Sequence, residues 1–167
     1  AENVTDSSLF YERDLLAVQG EKVIAAKLLG VTASVWQRWE KWSKPREVTL
    51  EPGDVVLGIG LARRLQVALG DQLRVIVPGD DFTSNTLPVT DALRVVALVD
   101  SGTELDEGLM LANFEYTATL LGDELTATGL ALQLGQLFEA PRVRWDFART
   151  LSPSFYVTDW TLRHGNL

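Results

Sequence analysis

The glycines of Gly58-Ile59-Gly60 are the first candidates for chemistry, because they follow an apolar run and precede a helical pattern. Glycine-rich turns between a strand and a helix can cradle phosphate groups on backbone N–H groups. The third glycine of the dinucleotide fingerprint would fall at position 63, where the chain has Arg63. No Gly-Lys-Ser or Gly-Lys-Thr sequence occurs either. The pattern therefore favours a tight structural turn over a nucleotide site.

Nucleophilic catalysis finds little support among the reactive side chains. The one histidine, His164, lies three residues from the end, and no Gly-x-Ser-x-Gly elbow accompanies it. A catalytic histidine needs a second group to orient it, which a chain terminus holds poorly. The absence of cysteine excludes thiolate catalysis, disulfides and cysteine-ligated zinc.

Paired carboxylates are the last candidates for a catalytic or metal site. Glu104, Asp106 and Glu107 cluster in one turn, and Asp80-Asp81 form a second acidic pair. Such groups can bind a hard cation or act as an acid and base pair. Their spacing does not match a calcium-binding loop, so an exposed acidic turn is the simpler interpretation. We expect no catalytic residues, no cofactor and no metal.

The bulk composition predicts one domain, 1–167, with an apolar fraction of 46% that can build a sizeable core. The net charge of −8 argues against nucleic acid or anionic lipid as the main partner, because either needs a basic face. No apolar run approaches the roughly 20 residues of a membrane-spanning helix. We interpret the chain as a domain excised from a longer membrane protein.

Alternating strand and helix patterns predict an α+β, or mixed α/β, fold. Two strand-like runs, 15–18 and 22–29, should form a hairpin, and Ser34 should cap a short helix in a capping box with Gln37. A helix should follow Gly58, with Gly70 at its C-terminal end. Further strands are predicted at 55–57, 72–77, 93–99, 109–112, 130–134 and 155–157, and further helices at 113–121 and 141–150.

Two features could form contact surfaces. Trp36, Trp39 and Trp42 recur every three residues, which suits either packing on the core or a surface that meets a partner or membrane interface. The polar segment between the strands at 72–77 and 93–99 is long for a connection and contains Phe82 and Leu87. These apolar groups either fold back onto the domain or mark a contact site.

Three stretches in the same order resemble one known family. Residues 56–75 read VLGIGLARRLQVALGDQLRV, which is similar to the "ILG-x-GLA-x-x-L-x-V-x-x-GD-x-V" pattern of LolC/LolE-type permeases and the MacB-like periplasmic core family. Residues 96–106 and 110–115 resemble the family's strand, "SE-x-D" turn and "LVN-x-ED" helix start. Residues 156–167 resemble the stretch that leads into the second membrane helix.

The resemblance implies a MacB-like periplasmic core with a mixed α/β lobe and a strand-rich lobe at roughly 71–112. It implies a non-catalytic domain on the periplasmic face of the Gram-negative inner membrane, anchored through segments outside this chain. Its implied partners are a second permease subunit, a cytoplasmic ATPase subunit (LolD) that hydrolyses ATP, lipoprotein substrates and the periplasmic carrier LolA.

In LolC-like members a hook loop between two strands recruits the carrier, beside a basic pad. The resemblance places the hook at 78–88 in this chain, and Thr90-Asp91 stand where the pad pattern has Gln-Arg. A LolE-like or hybrid role stays open, as does a MacB- or FtsX-like domain that couples ATPase motion to efflux or cell division. The hook and pad residues carried over are Arg74, Pro78, Phe82, Thr83, Leu87 and Pro88.

Overall fold

The computed structural model describes residues 3–79, 87–122 and 127–159. Within them lie eight strands and four α-helices, with short 3-10 helices at Glu40–Trp42, Glu104–Glu107 and Leu137–Glu139. The strands are β1 (Val4–Gln19), β2 (Lys22–Val31), β3 (Ser43–Lys44), β4 (Asp54–Gly58), β5 (Gln72–Val77), β6 (Val89–Val99), β7 (Leu109–Asn113) and β8 (Gly129–Leu134). The helices are α1 (Ala33–Trp39), α2 (Ile59–Leu65), α3 (Phe114–Leu121) and α4 (Ala140–Thr150).

The chain forms two compact units. The larger unit is Leu9–Leu130, and the described part of the smaller unit consists of residues 3–8 and 131–159. In the smaller unit the Gly135 backbone N–H donates to the Asn3 carbonyl at 3.0 Å. Its helix α4 has a proline in the first turn, as predicted, because the missing N–H is unneeded there. The proposed lobe at 71–112 stays a prediction.

The larger unit contains a sheet that closes on itself. The strand order is β2-β7-β4-β6-β5-β1, and β1 also pairs with β2. Closure is possible because β1 is long: Tyr11 to Gln19 pair antiparallel with β2, and Leu16 to Val18 also pair with β5. The pairs β2–β7 and β4–β6 are parallel, and the other pairs around the ring are antiparallel. The predicted β1–β2 hairpin is confirmed, with Gly20 at a φ of 58° in its turn.

Apolar side chains fill the larger unit in two clusters. The first lies between the sheet and α2, where Leu57, Leu61 and Leu65 are fully buried. The second lies around Trp36, whose indole N–H donates to the Val48 carbonyl. Burial of this many branched aliphatic groups supplies the main driving force for folding, at about 25 cal/mol for each Å² of apolar surface.

The acidic turn at 101–108 packs directly on the turn between β4 and α2. The Asp106 carboxylate is buried and accepts hydrogen bonds from the Ser101 and Gly102 backbone N–H groups, at 2.9 and 3.0 Å. A Cβ on Gly58 would lie 2.3 Å from the Asp106 carbonyl oxygen. A Cβ on Gly60 would lie equally close to the Glu107 carboxylate. The Gly58-Ile59-Gly60 pattern therefore allows close packing between two turns.

Three sequence predictions are wrong in detail. Thr32, not Ser34, precedes α1, and Thr32 makes no side-chain capping bond, so there is no capping box. Helix α2 ends at Leu65 and is capped by Gln66 in the left-handed conformation, with a φ of 58°, and not by Gly70. Residues 155–157 form no strand. The predicted α3 is confirmed, with the Asn113 side chain accepting from the Tyr116 N–H at 2.9 Å.

Candidate protein-interaction site

The segment predicted as a hook connects two antiparallel strands of the larger unit. Val77 at the end of β5 pairs with Val89 at the start of β6, so residues 78–88 form the connection between them. Phe82 and Thr83 lie outside the described residues. At the described ends of the connection, Pro78 and Pro88 are exposed, and 86% of Leu87 is exposed to solvent. An apolar side chain this exposed is a natural contact point for a partner.

A side chain from β1 holds the start of this connection. The Arg13 guanidinium donates a hydrogen bond from Nη2 to the Pro78 carbonyl oxygen at 3.0 Å. Beside it lies an open concavity of about 420 Å³. The residues that line it come from β1, from the start of the connection and from the segment before β8: Glu12, Arg13, Asp14, Pro78, Gly79 and Thr128. The base of the connection is therefore fixed to the sheet and flanked by space that a partner's side chain can enter.

The registers of four strands place eight outward side chains in two adjacent rows, which we term the outer face. Each row contains one residue from each of β2, β1, β5 and β6, and neighbours in a row are register partners. The two rows are two residues apart along every strand. All eight side chains are exposed or half-buried. The first row is Val23, Val18, Arg74 and Ala92, and the second is Ala25, Leu16, Ile76 and Thr90.

The outer face combines apolar area with one cation. Six of its eight side chains are aliphatic, and 57% of Val23 is exposed. Arg74 lies among them, and in the part of the chain that the structure describes it makes no ion pair. Only Val77 separates Ile76, in the second row, from Pro78, where the connection begins. Apolar area with an arginine is the composition that protein interfaces favour.

Asp91 does not belong to the outer face. Its register partner is the buried Val75, so its side chain lies on the opposite side of the sheet from Arg74. There the Tyr116 hydroxyl donates a hydrogen bond to the Asp91 carboxylate. Burial, and then this bond to a carboxylate, raise the pKa of Tyr116 well above its ordinary value. The Asp91 carboxylate therefore binds a side chain of α3, and Arg74 is the charged side chain of the outer face.

We expect the substitution Tyr116→Phe to lower the free energy of unfolding near neutral pH by about 1 kcal/mol, the typical contribution of one hydrogen bond. Because the pKa of Tyr116 is raised by folding, its stabilisation is complete below the ordinary tyrosine pKa of 10.0 and is lost as the pH rises through the folded-state value. Urea unfolding should show that the difference in free energy of unfolding between wild type and variant is smaller at strongly alkaline pH than at neutral pH.

The control for this prediction is Tyr156→Phe, because 86% of Tyr156 is exposed. Its free energy of unfolding should match that of wild type at both pH values. A gap that stays constant with pH would contradict the assignment.

The tryptophan series divides between the core and the surface. Trp36 is buried, Trp39 is half-buried, and Trp42 lies beyond the end of α1 with 39% of its surface exposed. Trp39 and Trp42 pack edge to face with ring centroids 5.7 Å apart. The three tryptophans therefore do not share one face of α1, because α1 ends at Trp39.

The remaining catalytic candidates do not converge. Asp106 is occupied by hydrogen bonds within its own turn, and His164 lies outside the described residues. Among residues 3–79, 87–122 and 127–159, no group of three or more histidine, aspartate or glutamate side chains is placed to hold a metal ion.

Known proteins resemble the chain over nearly its whole length. It is 28% identical over 172 residues to the lipoprotein-releasing system transmembrane protein LolC of Xylella fastidiosa, which covers 98% of this chain and 41% of that protein. It is 29% identical over 160 residues to LolC of Neisseria meningitidis serogroup B, covering 88% of this chain and 37% of that protein. The chain thus spans about two fifths of the length of the curated relatives it matches. No family model matches it.

Solved structures resemble it as well. The periplasmic region of MacB from Actinobacillus actinomycetemcomitans has a TM-score of 0.58 at 13% identity, and the match covers all of this chain and 78% of that one. The chain shares the fold of the MacB periplasmic region. The extracellular domain of the noncanonic ABC-type transporter YknZ from Gram-positive bacteria has a TM-score of 0.52 at 13% identity, covering 98% of this chain and 78% of that one.

These matches confirm the MacB-like periplasmic fold and the resemblance to LolC that the sequence motifs indicated. One structural neighbour is a periplasmic region and the other is the extracellular domain of an ABC-type transporter. In the described part of this chain, no helix has the length and apolar character needed to span a bilayer.

Proposed function

We propose that this chain is the periplasmic domain of an ABC-type lipoprotein-releasing permease. In this proposal it helps to extract outer-membrane lipoproteins from the inner membrane and transfers them to the carrier LolA. The carrier contacts the connection 78–88, and the outer face carries Arg74 beside it. Similarity to LolC along nearly the whole chain supports the transporter class. The observation that carries the site is an apolar, arginine-bearing face that ends one residue before the connection on which the exposed Leu87 lies.

The geometry favours binding over catalysis. Among its described residues the candidate site offers exposed aliphatic side chains, a guanidinium that forms no ion pair with them and an adjacent open concavity. Such a surface buries apolar area and adds orientation through one charge. In the proposed assembly, ATP hydrolysis belongs to the cytoplasmic subunit LolD, and a second permease subunit completes the transporter. Segments outside this chain anchor the domain to the inner membrane.

The departures from the LolC pad leave the type of permease open within this proposal. Asp91 stands where the pad pattern has arginine, and its side chain is bound to Tyr116 on the other side of the sheet. Of the basic residues in the pad pattern, this face therefore keeps Arg74, which lies among aliphatic side chains. A LolE-like or hybrid permease would use the same face with less electrostatic attraction, since a single cation steers a partner less strongly than two.

A second candidate function follows from the structural matches. The fold is shared with MacB and YknZ, so a domain that transmits ATPase motion to an efflux or cell-division partner is the alternative. Such a domain would bind an outer-membrane channel or a hydrolase regulator and would not bind a lipoprotein carrier.

Single-cysteine crosslinking tests the carrier contact, because the chain has no cysteine of its own. In the variant Leu87→Cys, a thiol-reactive photocrosslinker should give a defined adduct with purified LolA. The matched control is Leu69→Cys. Leu69 is also exposed, and it lies just before the start of β5, whereas the connection 78–88 follows the end of that strand. Six strand residues span about 20 Å, so the control should give no adduct.

Equal adducts at both positions, or none at Leu87→Cys while the two proteins still co-elute, would reject the site but leave the transporter class standing. If LolA neither co-elutes nor crosslinks, and a channel or hydrolase regulator binds, the second candidate function replaces the first.

A further inference from the structure

We infer that the segment 38–46 forms a binding site for the phosphate group of anionic phospholipid headgroups. The segment holds four of the chain's 15 lysines and arginines, although the whole chain has a net charge of −8. Its exposed surface also includes Trp42. This site is separate from the proposed carrier contact, and it stands whether or not that contact exists.

The cations surround an open concavity of about 240 Å³. Lys41, Lys44 and Arg46 line it, and Asp100 is the one carboxylate among its lining residues. In the described residues none of these three cations forms an ion pair, whereas Lys27, Arg94 and Arg142 are each paired with a carboxylate. The positive charge of the concavity is therefore available to an external anion. The full lining is Lys41, Trp42, Ser43, Lys44, Pro45, Arg46 and Asp100.

The backbone of the segment is held in place before any ligand binds. The buried Ser43 pairs with Val99 of β6, and its single O–H is shared between the Glu40 and Pro45 carbonyls, at 3.1 and 2.9 Å. The Asp100 N–H donates to the Trp42 carbonyl at 3.0 Å. A preformed arrangement of this kind reduces the entropy lost on binding.

The aromatic group favours a lipid surface over a free anion. The Lys41 ammonium lies 4.0 Å from the centre of the Trp42 ring, which leaves the indole beside the cations at the surface. Tryptophan beside lysine and arginine is the composition of membrane interfaces, where the ring lies among the headgroups and the cations meet phosphates. The chain's other carboxylates repel an anionic membrane weakly, because ions screen charges beyond about 10 Å at 0.1 M salt. Among the residues that line the concavity, three cations face the one carboxylate of Asp100 and leave a net positive charge.

Sedimentation with vesicles tests the inference. Wild-type protein should bind vesicles of equal parts phosphatidylglycerol and phosphatidylcholine more strongly than vesicles of phosphatidylcholine alone. The double variant Lys44→Gln/Arg46→Gln should bind the anionic vesicles roughly 30-fold more weakly, since each interfacial cation contributes about 1 kcal/mol. The variant Trp42→Ala should also weaken binding. The control Arg63→Gln/Arg149→Gln removes two exposed cations elsewhere and should bind like wild type.

The thermal midpoint of both double variants should stay near that of wild type, because the substituted charged side chains are exposed. Equal binding to both vesicle types, or an equal loss in the control, would overturn the site. Binding of soluble glycerol phosphate as tight as binding to vesicles would overturn the assignment to lipid.

Discussion

The substitution Gly58→Ala is expected to lower the free energy of unfolding by about 3 kcal/mol, the upper range for inserting a methyl group into a well-packed site. The added Cβ would lie 2.3 Å from the Asp106 carbonyl oxygen and 2.7 Å from the carbonyl carbon. Both atoms belong to the backbone of a turn that the Asp106 carboxylate holds through its bonds to Ser101 and Gly102. The acidic turn cannot move away without straining these bonds, so the overlap is not relieved cheaply.

Gly108→Ala is the matched control for this prediction. It is the same substitution two residues after Asp106, yet a Cβ there meets nothing within 4 Å, and the φ of −145° lies outside the left-handed region. Urea unfolding should therefore show a change within about 0.5 kcal/mol for the control. Gly60→Ala should fall between the two, because its Cβ meets the movable Glu107 carboxylate. Equal stability of the Gly58 and Gly108 variants would show that the two turns are not packed as described.

Local elements of the fold could be predicted because their signals lie within a few residues. Strand β5 occupies exactly the run whose apolar alternation ends at Pro78, and α3 begins after the capping Asn113. The turn at Gly20 likewise follows from the flanking apolar runs. In each case the hydrophobic pattern and the backbone preference of the local residues favour the same structure, and the tertiary contacts are consistent with it.

Closure of the sheet could not be predicted, because it depends on pairings between distant segments. Strand β1 extends back to Val4 through a polar stretch with little alternation, and it pairs on both sides only once β2 and β5 are in place. The end of α2 was misplaced for a related reason. Gln66 adopts the left-handed conformation although glycine is preferred there, and the next residue, Val67, is buried in the core.

The candidate site was only partly accessible to sequence reasoning. The exposure of Leu87 and Arg74 agrees with their assignment as contact residues, although their role stays a prediction. The apolar rows beside them were missed, because Leu16 and Val18 look like core residues of a strand until the register shows which side they face. The alternation of β1 did carry a signal, since Leu15 and Ala17 are the buried pair.

In the proposed carrier contact, Leu87→Glu should weaken LolA binding at least about 30-fold, the effect expected when an apolar anchor of about 2 kcal/mol is replaced by a charge that must lose its water. With 86% of Leu87 exposed, the substitution should leave the unfolding midpoint unchanged. Surface plasmon resonance with immobilised carrier gives the dissociation constant and both rates. The control Leu69→Glu, also at an exposed leucine, should bind as wild type does.

The kinetics separate the two parts of the proposed contact. Arg74 is exposed and makes no ion pair among the described residues, so Arg74→Glu should act mainly on the association rate, with an effect that shrinks as salt is added. Leu87→Glu should act mainly on the dissociation rate, because an apolar anchor is desolvated only in the bound complex. If Leu87→Glu binds with wild-type affinity while Arg74→Glu does not, the carrier contact lies on the outer face alone. The connection 78–88 would then have no part in it.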